Sequence, residues 1–222
     1  MTTDSALEIV DWARLAERLC FLFPPVVGVG VVGVLRDVDP SVPGFARGLV
    51  LVGTFGYTLL TLAMAVTLCF DARRVRESGV WQPTPWLYTI GAVLWAPAAG
   101  VVYLYRRHRH FGTPPGWSGW WLVVAGSLLV TLTGGAIASV AFVLELPGVV
   151  TSAIGVAGAI AVGLFPVAIH QDAAYVCTQG SLWRPNPAGY LGVAFLSLFV
   201  PPLQPLLAAY YLLRRRRAIG TP

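Results

Sequence analysis

Residues 71–88 read DARRVRESGVWQPTPWLY, and residues 172–190 repeat their pattern as DAAYVCTQGSLWRPNPAGY. Both copies place an aspartate, a glycine, a tryptophan, two prolines and a tyrosine in the same order. Farther along, YLYRRHR at 103–109 and YLLRRRR at 211–217 are each followed by Gly-Thr-Pro. So many ordered matches predict an internal duplication, with one unit at 1–114 and a second at 115–222.

The composition around these motifs is that of a membrane protein. Of the 222 residues, 56% are hydrophobic and 11% are charged, and the mean hydropathy is +0.71. An ordinary soluble domain has about 25% charged residues, so this chain cannot cover a soluble surface. A membrane-spanning helix needs about 20 apolar residues, and six runs qualify or nearly qualify. The runs are Leu19–Leu35, Gly48–Phe70, Pro85–Tyr105, Trp120–Val143, Val149–Ile169 and Pro187–Leu213.

These runs predict an all-α integral membrane bundle of six transmembrane helices, arranged as a 3+3 internal repeat in one compact domain. Three spans per unit is an odd number, so the second unit should be inverted relative to the first. The segment before the first run predicts either an interfacial helix or a plain extension of the first span. Nine arginines fall on the N-terminal side and six on the other, which favours a cell membrane location with both termini in the cytoplasm.

Each copy of the motif has an expected local structure. Asp71 and Asp172 are placed to cap a short surface helix, which Gly79 and Gly180 would end. A proline then follows a capping residue and begins the next helix, at Thr84-Pro85 and Asn186-Pro187. The arginine clusters of the motifs are expected to contact anionic lipid headgroups. They comprise Arg73, Arg74, Arg76, Arg106, Arg107, Arg109, Arg214, Arg215, Arg216 and Arg217.

The duplicated pattern resembles a group of small multi-pass membrane proteins of halophilic archaea. It consists of Asp-x-x-x-Val, then Trp-x-Pro-x-x-x-Tyr, then Tyr-Leu-x-Arg-Arg-x-Arg. The group is largely uncharacterised, so the resemblance implies a multi-pass membrane fold and no particular activity.

Several chemistries are not expected. All fifteen basic residues are arginine, so a lysine Schiff base is excluded. The sequence has no recognised catalytic motif, so we expect no catalytic residue, cofactor or metal and therefore no enzyme. His108 and His110 lie among arginines that repel cations, so a headgroup contact is expected there. His170 and Asp172 are expected to be an interfacial histidine and a helix cap rather than a functional pair.

The distribution of polar residues limits transport mechanisms. None of the six apolar runs has an ionisable residue in its interior, which disfavours proton-coupled transport. The residues expected to line any cavity are Gln204, Pro97 and Pro201.

Two functions remain open. The first is a non-enzymatic membrane scaffold or interaction module whose arginine-rich rims contact lipid. The alternative is a passive transporter or channel with a path at the interface of the two repeats. The expected partners are anionic lipids and a second copy or another membrane protein. Nucleic acid is not expected, because the arginines lie at the ends of apolar runs.

Overall fold

The computed structural model describes residues 11–36, 44–114, 116–200 and 202–220. The segment before residue 11, where most of the predicted interfacial helix falls, and Pro201 lie outside these ranges. Seven helices and no strand occur in the described residues. They are α1 (Trp12–Arg36), α2 (Phe45–Glu77), α3 (Pro85–Phe111), α4 (Trp120–Val143), α5 (Gly148–Thr178), α6 (Pro187–Ser197) and α7 (Leu203–Ile219).

Five of these helices are long and apolar enough to cross a membrane, which confirms the helical, membrane-type fold class. The qualifying segments are Trp12–Leu35, Phe45–Glu77, Pro85–Phe111, Trp120–Ala141 and Ala153–Thr178. The first span, which is short in the hydropathy pattern, is a helix of 25 residues that continues through Pro24 and Pro25. The residues from Trp12 onwards therefore extend the first span, as one of the two sequence alternatives predicts.

Helix α1 runs antiparallel to both α2 and α5. A Cβ added to Gly53 of α2 would lie 2.5 Å from the Cα of Gly30, so these two backbones are in close contact. Gly163 of α5 approaches the backbone of Pro25 in a similar way. Because α2 and α5 both oppose α1, their C-terminal ends lie together beside the beginning of α1.

Helix α3 folds back on itself at Trp95. The φ and ψ angles of Trp95 are −156° and 83°, and Pro97 follows two residues later. The ring centroids of Tyr88 and Tyr103 are 4.9 Å apart, and those of Trp81 and His110 are 5.5 Å apart. In a straight helix the two tyrosines would be separated by about 22 Å. The two arms of α3 therefore form a helical hairpin, at a turn where proline cannot continue the backbone hydrogen bonds.

Helices α6 and α7 form the equivalent hairpin in the second unit. The predicted span Pro187–Leu213 is two helices, which are separated at residues 198–202. Tyr190 of α6 and Tyr211 of α7 have ring centroids 5.1 Å apart, so the two helices also lie side by side. The run expected to be one crossing helix is therefore a reversal between Ser197 and Leu203.

The hairpins contradict the inverted 3+3 arrangement of six spans. Helix α3 in the first unit, and the α6–α7 pair in the second, each return to the end of the bundle from which they started. Each unit therefore passes along the bundle an even number of times. Both copies of the motif consequently lie at the same end of the molecule. Hydropathy could not reveal this, because a hairpin and a crossing helix of equal length have the same composition. Ala188, Leu191 and Phe195 of α6 pack into the core formed by α1, α2 and α3. The two predicted units therefore share a core, and the boundary between residues 114 and 115 stays a prediction.

Candidate functional site

The end of the bundle that carries both motifs is also the arginine-rich end. It comprises the beginning of α1, the C-terminal ends of α2, α3, α5 and α7, and the loops that follow α2, α3 and α5. Two arginine positions, 36 and 47, lie at the opposite end, where α1 ends and α2 begins. The other thirteen lie at the arginine-rich end: Arg14, Arg18, Arg73, Arg74, Arg76, Arg106, Arg107, Arg109, Arg184, Arg214, Arg215, Arg216 and Arg217.

In the first copy of the motif, Asp71 is the centre of a polar cluster. The hydroxyl of Tyr103 donates a hydrogen bond of 2.6 Å to Oδ2 of Asp71, and Nε of Arg107 donates one of 2.9 Å to the same oxygen. Asp71 is buried inside α2, and both donors lie on the second arm of the α3 hairpin. The cluster therefore fastens the hairpin to the spanning helix that precedes it.

The second copy makes the matching cluster around Asp172. Tyr211 donates a hydrogen bond of 2.8 Å to Oδ2 of Asp172, and Nε of Arg215 donates one of 2.8 Å. Asp172 is 0% exposed and Arg215 is 4% exposed. The guanidinium of Arg215 also lies over the ring of Trp121 at the beginning of α4, 5.6 Å from its centroid. This ion pair is more deeply buried than that of the first copy, where the Arg107 side chain is 21% exposed.

These clusters correct the predicted role of the two aspartates. Asp71 and Asp172 do not cap a short surface helix, because α2 and α5 continue past them to Glu77 and Thr178. Their carboxylates are occupied by tyrosine and arginine donors from the hairpins. The end of that segment is predicted correctly, since Gly79 and Gly180 have φ angles of 73° and 67° and each is the second residue after its helix.

The proline helix starts are also confirmed. Helices α3 and α6 begin at Pro85 and Pro187. The side chain of Asn186 accepts a hydrogen bond of 3.2 Å from the backbone N–H of Gly189, whereas Thr84 makes no such bond. Only the second of the two predicted caps therefore has its side chain in the capping position.

The arginines predicted to contact headgroups divide into two groups. Arg107 and Arg215 are directed inward onto Asp71 and Asp172, and the burial of Arg215 leaves it no surface for the expected headgroup contact. Arg106 donates to the Tyr88 hydroxyl at 3.2 Å from an exposed position. The remaining members are exposed at the arginine-rich end: Arg73, Arg74, Arg76, Arg109, Arg214, Arg216 and Arg217.

A second polar cluster joins Glu17 of α1, His108 of α3 and His170 of α5. Nε2 of His108 lies 3.0 Å from Oε1 of Glu17, and the two histidine rings have centroids 5.8 Å apart. All three residues are buried. His108 is expected to contact headgroups and His170 to lie at the membrane interface, and the burial of both histidines contradicts this. The prediction failed because the three residues come from separate helices.

A polar pocket of about 240 Å³ adjoins this cluster at the arginine-rich end. Glu17 and His170 form part of its wall, together with Arg14 and Arg18. Arg14 pairs with Asp11 at 3.2 Å, and Arg18 is exposed. Solvent and small solutes thus have a route to the buried groups.

A larger, apolar cavity of about 500 Å³ lies between the two hairpins. Pro97, which was predicted to line a cavity, is on its wall with Trp95 at the reversal of α3. Phe23 of α1 and Phe199 from the turn between α6 and α7 are also on the wall. Gln204 is buried in α7 and is not part of this wall, and Pro201 lies outside the described residues.

Comparison with protein-family models, with curated proteins and with solved structures gives no match. The class of protein is therefore defined by the fold itself, an all-helical bundle with five helices apolar and long enough to cross a membrane.

Proposed function

We propose that the protein is a non-enzymatic multi-pass membrane module whose arginine-rich end lies on an anionic leaflet. The observation that carries this proposal is the segregation of thirteen of the fifteen arginines at one end. Anionic leaflets attract clustered juxtamembrane basic residues by about 1 kcal/mol each. The guanidinium of Arg214 lies over the ring of Trp183, 5.9 Å from its centroid. Tryptophan is enriched at the level of the headgroups, which suits this position.

The hairpins support a specific topology. We propose that α1, α2, α4 and α5 cross the membrane, while α3 and the α6–α7 pair enter and leave at the same face. The two units then have the same orientation, and both termini lie on the arginine-rich side. The positive-inside rule assigns that side to the cytoplasm. The arginine count is thirteen to two between the two ends, a larger bias than the nine to six expected from six spans.

Cysteine labelling in membranes tests this topology directly. Cys20, Cys69 and Cys177 would first be replaced by alanine, and single cysteines introduced at exposed positions in each region. Residues 78 and 182 follow α2 and α5 at the arginine-rich end, whereas residue 145 follows α4 at the opposite end. We expect an impermeant thiol reagent to label 78 and 182 from the same side and 145 from the other. Labelling of 78 and 182 from opposite sides would restore the inverted arrangement.

Lipid selectivity tests the proposed role. The variant Arg214→Gln/Arg216→Gln/Arg217→Gln removes three exposed charges and leaves the buried Arg215 pair intact. Arg47→Gln is the control, because Arg47 is an exposed arginine at the opposite end. The protein would be extracted from mixed phosphatidylglycerol and phosphatidylcholine vesicles, and the retained lipid quantified. We expect phosphatidylglycerol enrichment in the wild type and the control, and its loss in the triple variant. Equal enrichment in all three would refute the role.

The apolar cavity favours a second candidate, a passive path at the interface of the two units. In membranes, non-helical backbone is tolerated where it is packed in protein or lines a cavity, and Trp95 at the reversal of α3 does line one. Its described lining has no charged side chain, which favours a small uncharged solute over an ion.

Stopped-flow light scattering on proteoliposomes tests this candidate, with water and glycerol as solutes. The variant Val193→Trp would fill the cavity, since Val193 is on its wall. Val66→Trp is the control, because Val66 is exposed on α2 and absent from that wall. We expect protein-dependent permeability that Val193→Trp removes and Val66→Trp retains. Wild-type permeability equal to that of protein-free vesicles would eliminate the candidate.

A further inference from the structure

We propose that Glu17, His108 and His170 bind a divalent transition-metal ion, with Zn²⁺ as the reference ion. Each residue offers one ligand atom, and the three atoms lie within 4.8 Å of one another. Two imidazoles and one carboxylate form a common three-residue zinc set, which leaves one coordination position open. The ligands come from α1, α3 and α5, so the ion would join three helices from both repeat units.

Buried, unpartnered nitrogens provide an independent observation that supports a ligand here. His170 is 1% exposed, and neither of its ring nitrogens has a hydrogen-bond partner in the described structure. Nδ1 of His108 is also buried without a partner. Burying such groups without a partner destabilises a fold, so a fold that keeps them needs a compensating interaction. A metal ion beside Nε2 of His108 and Oε1 of Glu17 would bind one of the two unpartnered nitrogens of His170 and thereby satisfy it.

The surroundings reduce the positive field that the sequence suggests. Arg107 is paired with Asp71, and Arg14 is paired with Asp11, so two of the neighbouring cations are neutralised. His110 stacks on Trp81, away from the cluster, and does not contribute a ligand. The exposed Arg18 remains on the wall of the polar pocket, where it would favour an anion or an oriented water at the open position.

The polar pocket supplies an entry path for the ion. It reaches Glu17 and His170 from the arginine-rich end, so hydrated metal can approach without crossing apolar core. Phe21 lies edge-on to His170, with 5.2 Å between the ring centroids, and restrains that ring. The 3.0 Å contact between His108 and Glu17 is the hydrogen bond that the ion would replace.

Metal binding would be measured on the full chain purified without a histidine tag. The probes are Zn²⁺ in equilibrium dialysis and Co²⁺ in visible absorption, which reports tetrahedral coordination by nitrogen and oxygen. We expect one ion per chain in the wild type, and loss of binding in His170→Gln and in Glu17→Gln. His110→Gln is the matched control, because it removes a histidine that lies outside the cluster, and it should bind as the wild type does.

Thermal unfolding keeps the test decisive if one of the variants folds poorly. An ion that joins α1, α3 and α5 should raise the melting temperature of the wild type and of His110→Gln, and a chelator should reverse the increase. Glu17→Gln should retain its helix content but show no Zn²⁺-dependent increase. The proposal would be overturned if the wild type bound neither ion, or if binding persisted unchanged in both cluster variants.

Discussion

Removal of the Asp172 carboxylate should be among the most destabilising single changes in this protein. In Asp172→Ala, the guanidinium of Arg215 and the hydroxyl of Tyr211 both lose their acceptor at 2.8 Å. The Arg215 side chain is 5% exposed, so its charge cannot turn into solvent. Removing one partner of a buried ion pair costs about 3–5 kcal/mol, because the remaining charge stays buried and uncompensated.

The first copy of the motif supplies a matched comparison. Asp71→Ala removes the same contacts from Tyr103 and Arg107, but the Arg107 side chain is 21% exposed and can reach water. Its cost should be close to that of lost hydrogen bonds to a charged group, about 1.5–3 kcal/mol. We therefore expect Asp172→Ala to be more destabilising than Asp71→Ala by roughly 1–2 kcal/mol, a difference set by the exposure of the two arginines.

The assay is a titration with sodium dodecyl sulfate in mixed micelles, in which circular dichroism follows loss of helix. A third variant, Asp172→Leu/Tyr211→Phe/Arg215→Met, replaces the whole cluster with apolar groups and should recover most of the stability lost in Asp172→Ala. Two results would refute the reasoning: equal or greater loss in Asp71→Ala, or no recovery in the triple variant. Either would mean that Arg215 reaches solvent or headgroups instead of pairing inside the bundle.

The same titration checks three further predictions. Asn186→Ala should lower the free energy of unfolding by about 1 kcal/mol, because it removes the helix-capping hydrogen bond. Thr84→Ala should lower it by less, because Thr84 makes no capping bond, and equal losses would contradict this difference between the two caps. Gly53→Ala should cost about 1–3 kcal/mol by pushing the added Cβ against the backbone of α1, whereas Gly48→Ala, which meets nothing within 4 Å, should be neutral or stabilising. Gly180→Ala should cost roughly 1–2 kcal/mol, because residue 180 has a φ of 67°, and a variant as stable as wild type would argue against that conformation.

Much of the local structure could be predicted from the sequence. The prolines at 85 and 187 begin helices, and the glycines at 79 and 180 end them, because each requirement depends on the backbone of a few neighbouring residues. Matched positions of the two motif copies also make matching contacts, since Asp71 and Asp172 each accept from one tyrosine and one arginine. What the motif does was not predictable, because Asp71 meets Tyr103 and Arg107 only after α3 folds back.

The membrane class and the arginine clusters thus follow from the sequence alone, because hydropathy and charge are properties of single residues summed over short segments. Three features were decided only by the tertiary structure: the reversal of α3 at Trp95, the position of both motif copies at one end of the bundle, and the meeting of Glu17, His108 and His170. Each depends on how one helix packs on another, and the sequence pattern does not specify the direction in which a helix runs relative to its neighbours. A hairpin and a crossing helix of equal length have the same composition, so only the contacts between distant segments distinguish them.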